Sequence, residues 1–169
     1  MTIYIIDPRN GHLCTIEEWR KEPDPTIAEL VCITGGIAGP IAIHKYIISD
    51  GYLGPKRFTW SEARRVVRLC RIYSRVQNDY VAPFRLPTRR DCIDIYDARF
   101  CGLDEALELI GGDPFSYESI WTGDEDPDPE AFPRKAYIFY VFDGKMELYP
   151  KDYKRRVRPV VGIDLDMPF

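Results

Sequence analysis

At 169 residues, with 45% hydrophobic and 13% aromatic side chains, the chain has the apolar surface to form one packed core, which excludes a disordered polymer. A net charge of −4 argues against general nucleic-acid binding, whose nonspecific affinity comes from neutralising phosphates. The 14 prolines and 12 glycines favour a loop-rich mixed fold over a helix bundle.

Residues 2 to 6 are β-branched and aromatic and run into the turn formers Asp7, Pro8, Asn10 and Gly11, which predicts a first strand. The same segment lacks the basic region, long apolar run and cleavage site of a signal peptide, so a cytoplasmic location is expected unless a leader has been trimmed. No apolar stretch approaches the ~20 residues of a membrane span. Thr15 followed by Glu18 predicts a capped short helix carrying Trp19, stopped by Pro23 and Pro25. Residues 27 to 34 and 41 to 49 read as strands on either side of a glycine-rich stretch beginning Gly35, Gly36. That stretch lacks the lysine and hydroxyl residue of a phosphate loop and precedes a strand, so it reads as a turn.

Residues 50 to 55 form a further loop. A helix is predicted from Thr59, with Glu62 completing the cap, Ala63, Val66, Val67, Cys70 and Tyr73 on its core face, and Arg64, Arg65, Arg68, Arg71 and Arg75 on its other face. Thr88 and Asp91 repeat the capping pattern ahead of Cys92, Ile93, Ile95 and Tyr96. A shorter helical turn over 104 to 110 closes at Gly111 and Gly112. After an acidic loop over 124 to 130, strands over 136 to 142 and 145 to 149 flank Asp143 and Gly144, a strong hairpin signal. A last strand over 157 to 163 contains Pro159, which confines it to an edge or a strand end. No linker divides the chain, so a single domain over 1 to 169 is expected.

Chemistry is sparse. Cys14, Cys32, Cys70, Cys92 and Cys101 have no metal or disulfide spacing and read as small buried thiols. His12 and His44 are the only histidines, and His44 falls in a predicted strand. Asp94 and Asp97 share a helix at a spacing of three, which equally describes a solvated face. The acidic stretch over 124 to 130 offers oxygen ligands to Ca2+, but without the glycine and glutamate of an EF-hand it reads as a solvated loop, and no cofactor is predicted. The basic run Lys151, Lys154, Arg155, Arg156 and Arg158, like the arginine face of the helix, reads as a solvating surface. Neither GxSxG nor HExxH occurs.

Four short blocks carry more information by their order. They are Trp60, Glu62 and Ala63 at a helix start; Arg85, Leu86, Pro87 and Thr88 at the next; Trp121 and Thr122; and Val157, Arg158, Pro159 and Val160. In this order they resemble the DUF1566 and Lcl C-terminal domain family, domains with a C-type-lectin-like fold distantly related to the sulfatase-modifying, formylglycine-generating superfamily. Gly123 departs from the serine or threonine usual after the tryptophan. The resemblance covers residues 26 to 163 and leaves residues 1 to 25 as an N-terminal extension. It implies an α+β, C-type-lectin-like domain with two main helices packed on antiparallel strands and long loops. It gives no reaction, since no cysteine follows Cys101 to repeat the relatives' thiol chemistry and none of the lectin calcium triplets occurs.

Within the resemblance Trp60, Arg85, Pro87 and Arg158 are expected to build the scaffold, with the arginines tying loop carbonyls together and the tryptophans anchoring loops. The function implied is a noncatalytic recognition module. It would bind a protein or carbohydrate through the late loop region over 115 to 132, with Tyr117, Trp121, Asp124, Asp126 and Phe132 as the contact set. Those aromatics read equally well as core beneath a long loop. An enzyme whose site has no motif, and an assembly subunit docking through the last strand and the tail over 164 to 169, are the alternatives.

Overall fold

The central strand Leu30–Thr34 explains the architecture, because its side chains alternate between two hydrophobic clusters. Val31 and Ile33 enter one, and Leu30 and Cys32 enter the other. In this computed structural model, which describes residues 1 to 49, 56 to 81, 83 to 115, 118 to 166 and 169, that strand is β3 of an antiparallel sheet covered on both faces. Its neighbours repeat the alternation. In β1 (Thr2–Asp7) Ile3 and Ile5 face one way and Ile6 the other, while in β4 (Ile41–His44) Ile41 and Ile43 oppose Ala42.

With β2 (His12–Thr15) and β10 (Val160–Gly162) the sheet order is β10-β4-β3-β1-β2, all antiparallel. β10 sits at the edge that Pro159 requires. Residues 1 to 25 are integral to this sheet: β1 pairs on both sides, and α1 (Ile16–Lys21) buries Trp19 against it.

One face is covered by α3 (Arg89–Ala98), a 3-10 turn (Arg99–Cys101) and α4 (Leu103–Leu109), through Cys92, Ile95, Ala98, Leu103 and Leu107. The other is covered by α2 (Trp60–Leu69), through Trp60, Ala63 and Val67, while the antiparallel sheet of β7 (Ser119–Glu125), β8 (Lys135–Tyr140) and β9 (Met146–Pro150) feeds both clusters, Trp121, Ala136 and Ile138 joining α2 and Ile120 and Phe139 joining α3. The domain is therefore α+β with antiparallel sheets.

Three helix starts follow from their caps. Thr15 and Glu18 exchange hydrogen bonds in a reciprocal box, as do Thr88 and Asp91, while Thr59 accepts the Glu62 N–H. Gly111, at φ 73°, ends α4 in the left-handed conformation expected of a terminal glycine.

Several expectations are corrected. The helix over Ala63 and Val67 stops at Leu69, with Cys70 already extended, so Tyr73 is on no helix. It begins the two-residue strand β5 (Tyr73–Ser74), which pairs with β6 (Asp79–Tyr80). Apolar period alone carried the predicted helix too far. The supposed late loop contains β7, and the acidic loop accordingly starts only after Glu125. The predicted strands over 27 to 34, 41 to 49 and 157 to 163 are each shorter at one or both ends. The turn at Asp143 and Gly144 joins β8 to β9 as expected, with Gly144 at φ 77° against the Tyr96 ring. The loop over 50 to 55 lies outside the described residues.

Candidate functional site

The four sequence blocks converge. Trp60 Nε1 donates to Thr122 O at 2.9 Å, and Trp121 Nε1 donates to Phe58 O at 2.7 Å. Gly123 N donates to Pro87 O, Trp121 N to Arg156 O, and Arg85 and Val160 exchange backbone hydrogen bonds. Every block is thus bonded to another, in a joint whose tryptophans are at most 4% exposed.

Arg158 completes it. Its guanidinium is fully buried, 4.4 Å from the Phe115 ring centroid, and donates to the carbonyls of His44, Lys45, Asp113 and Pro114 and to Glu118 Oε1 at 2.9 Å. This is the tying of loop carbonyls expected of it. Arg85 works differently, pairing with the buried Asp91 carboxylate at the start of α3. Burial pushes the Glu118 carboxyl up and the Arg158 guanidinium down, and each charge offsets the other's shift. Glu118 Oε2 and Arg158 Nε have no hydrogen-bond partner among the described residues.

The expected contact set is not brought together. Trp121 is fully buried and fixed by its indole N–H, so it belongs to the joint and presents nothing to a ligand. Asp124 Oδ2 accepts the Arg89 N–H at 2.7 Å, placing its charge on the N-terminus of α3. Asp126 closes a local turn by accepting the Asp128 N–H. Phe132 is 95% exposed, and Tyr117 lies outside the described residues.

The carboxylate and histidine candidates also serve the frame. Asp94 is buried and accepts the N–H groups of Ile37 and Ala38, both at 2.9 Å. Its carboxylate comes so close to the glycine-rich turn that a Cβ on Gly36 would lie 2.2 Å from Asp94 Cγ. The turn does cradle an anion, and that anion is the chain's own. Asp97 is exposed. His44 is half-buried, its Nδ1 receiving the Tyr46 N–H at 3.1 Å, and burial pushes its imidazole down to about 4.

Of the five thiols, Cys32 and Cys92 are buried as expected, Cys14 and Cys70 are partly buried, and Cys101 is exposed. Burial pushes Cys32 up to about 12 and Cys70 to about 11, far from a thiolate. Among the described residues no group of three His, Cys, Asp or Glu side chains is placed to hold a metal ion, and no helix is long and apolar enough to cross a membrane.

Among the described residues a cleft of about 560 Å³ opens between the turn after β1, the segment leading into β3 and the β5–β6 hairpin, and another of about 500 Å³ opens beside Tyr46, Asp113 and Arg156. Ile6, Ile27, Leu30 and Ile72 line the first with apolar surface, and Phe169 closes one side, its N–H donated to Gly11 O. Phe169, in the tail that the assembly alternative invokes, packs against the apolar cluster on this face of the sheet. Tyr73 and Tyr80 meet edge to face at 5.4 Å and stay 48% and 55% exposed.

The charges are uneven. Arg9 is spent on Asp7, to which it donates from Nε and Nη2 at 2.8 Å each, holding that carboxyl below its usual range. Arg71 lies over the Tyr80 ring at 6.0 Å. Neither Arg71 nor Arg75 forms an ion pair among the described residues, and Glu29 is the other charged residue on the wall.

Sequence reasoning missed this cleft because it placed Tyr73 on the core face of a helix and Arg71 and Arg75 on its solvated face. The signal was there in the two-residue alternation of exposed Arg71, Tyr73 and Arg75 with part-buried Ile72 and buried Ser74. The basic run near the end, by contrast, is largely absorbed: Lys151 bonds Glu125 and stacks on Trp60, Arg155 stacks on Tyr149, and Arg158 is core. No known family model matches the chain, and no curated protein matches it.

Proposed function

We propose that the chain is a noncatalytic recognition module on a C-type-lectin-like frame of the DUF1566 and Lcl C-terminal kind, and that it takes its ligand in the cleft beside the β5–β6 hairpin. The frame reading is supported by the four blocks on which the resemblance rests, since each of them bonds to at least one other in a single joint. It is supported too by β1 and β10, from the two ends of the described chain, lying in one sheet with α2 and α3 on its opposite faces.

The observation that carries the functional reading is the contrast in how polar groups are used. Asp94, Asp124 and Asp126, and the indoles of Trp60 and Trp121, are consumed by hydrogen bonds within the frame. The cleft instead keeps exposed tyrosine faces and two guanidinium groups without an ion-pair partner among the described residues beside an apolar wall, the mixture that small-ligand sites display. Its volume lies within the range of about 300–1,000 Å³ typical of such sites.

The test is a titration of the isotope-labelled domain with panels of saccharides, short peptides and small metabolites, followed by amide shifts. Shifts concentrated at Ile6, Thr26, Tyr73 and Tyr80, with the ligand recovered chemically unchanged, are expected. Shifts concentrated at Asp126 and Phe132 would return the site to the late segment. Turnover of the ligand would make the domain an enzyme.

A further inference from the structure

We propose that the cleft is selective for a small ligand that joins a phosphate group to a flat ring, as in a nucleoside monophosphate or an aryl phosphate. Arg71 and Arg75 would hold the phosphate, and Tyr73 and Tyr80 would face the ring. The inference rests on the cleft being the ligand site and adds the chemistry of what enters it.

The charge argument comes first. With Arg9 neutralised by Asp7, the charged side chains left on the wall are Arg71 and Arg75 against Glu29, an excess of one positive side chain in a chain of net −4. Both guanidinium groups are exposed, with no carboxylate partner among the described residues. A carboxylate offers two oxygens and one charge, whereas a phosphate monoester carries nearly two charges and three acceptor oxygens, the closer match in charge to two guanidinium groups. Two arginines on one wall therefore favour phosphate.

The placement of the aromatics supplies the ring. Arg71 and Tyr73 stand on the same side of the extended segment by its two-residue repeat, and Arg75 opens the turn that brings the chain back to Tyr80. Tyr73 is fixed at its hydroxyl by Asn78, and the two rings brace each other edge to face, so their exposed surfaces are pre-oriented. Stacking on such faces tolerates any flat ring. A long polyanion is disfavoured by the net charge, which a single phosphate experiences far less.

The experiment measures binding of AMP, O-phosphotyrosine, adenosine, tyrosine and inorganic phosphate by calorimetry, with amide shifts to locate each. AMP or O-phosphotyrosine is expected to move the amides of Tyr73, Ser74, Arg75 and Tyr80, and the dephosphorylated partner to bind about tenfold weaker or less, the loss that charge-assisted hydrogen bonds imply. The tighter of AMP and O-phosphotyrosine tells a free nucleotide from a phosphorylated aryl group. Arg71→Gln with Arg75→Gln, both at exposed positions, should weaken binding by a similar factor while leaving the melting temperature unchanged. Tyr73→Leu should weaken AMP about fivefold or more without altering the weak affinity for inorganic phosphate.

Equal binding of adenosine and AMP, or full affinity in the double arginine variant, overturns the proposal. If a neutral saccharide or peptide moves the cleft amides and neither phosphate compound does, the phosphate assignment falls and the recognition site stands. If no compound of either charge perturbs the cleft, both fall.

Discussion

The joint around Trp121 and Arg158 and the cleft around Tyr73 and Arg71 are built from the same residue types, arginines beside aromatic rings, and they do opposite work. In the joint each indole N–H has a carbonyl, the guanidinium of Arg158 bonds four carbonyls and one carboxylate, and neither ring nor charge reaches water. In the cleft the rings are half exposed and two guanidinium groups have no ionic partner among the described residues. Desolvation separates the two cases. Once water is excluded, a polar group must be satisfied by the protein or it destabilises the fold, whereas at an open surface the same group is held ready by solvent.

The sharpest way to break the contrast is to empty the joint. Arg158→Ala should cost about 3–5 kcal/mol in urea unfolding, because it leaves the Glu118 carboxylate buried and alone. A loss below ~1 kcal/mol would show that Glu118 is already neutral.

Lowering the pH tests the same neighbourhood at His44. Its folded value of about 4 lies below the unfolded value of 6.5, so the unfolded chain binds more protons between them. The corresponding stability is fully present above pH 6.5 and is lost as pH falls towards 4, by about 2–3 kcal/mol. Glu118, shifted up, acts in the opposite sense: ionised, it opposes folding, and protonation on acidification relieves that cost. The difference between wild type and His44→Gln in the unfolding midpoint against pH isolates the histidine, and parallel curves would remove it as a contributor.

A milder change to the joint is Trp121→Phe, which deletes the N–H to Phe58 O and leaves a small void. Phe58 O retains the Arg155 N–H, so about 2 kcal/mol is expected by the same unfolding measurement. Smallest of all, Tyr80→Ala in the cleft should change stability by under ~0.5 kcal/mol, since its ring is more than half exposed. A loss comparable to that of Trp121→Phe would show the hairpin to be part of the frame.

Local patterns were legible wherever the chemistry was local. Thr15 with Glu18 and Thr88 with Asp91 form the boxes their spacing describes, and Asp143 with Gly144 lies at the turn between paired strands. The helix at Thr59 began as read, but its end was not legible, because nothing in the apolar period distinguishes Val67 from Tyr73. The contact set failed for a related reason. Trp121, Asp124 and Phe132 are close in sequence, yet the alternation of a strand and the reach of α3 send them to a core, a helix end and open water. The glycine-rich stretch at Gly36 read only as a turn, and nothing in its spacing pointed to the carboxylate, 58 positions further along, that packs against it. The order of the four blocks was legible; that they would meet, and that their indoles would bond each other's neighbours, was not.

The joint also has a history in time. Its members come from distant parts of the chain: Trp60 reaches Thr122 across 62 residues, Trp121 reaches back 63 to Phe58, and Arg158 bonds His44 across 114. Closures over such separations slow folding, because loop entropy is lost before any contact repays it. At a synthesis rate of about 5–20 residues per second, the first tryptophan waits on the order of 10 s for the last block to be made. Until then the indoles and the apolar face of α2 stand uncovered on the nascent chain. The arrangement that makes the finished frame rigid makes the unfinished one a client for whatever shields emerging polypeptides.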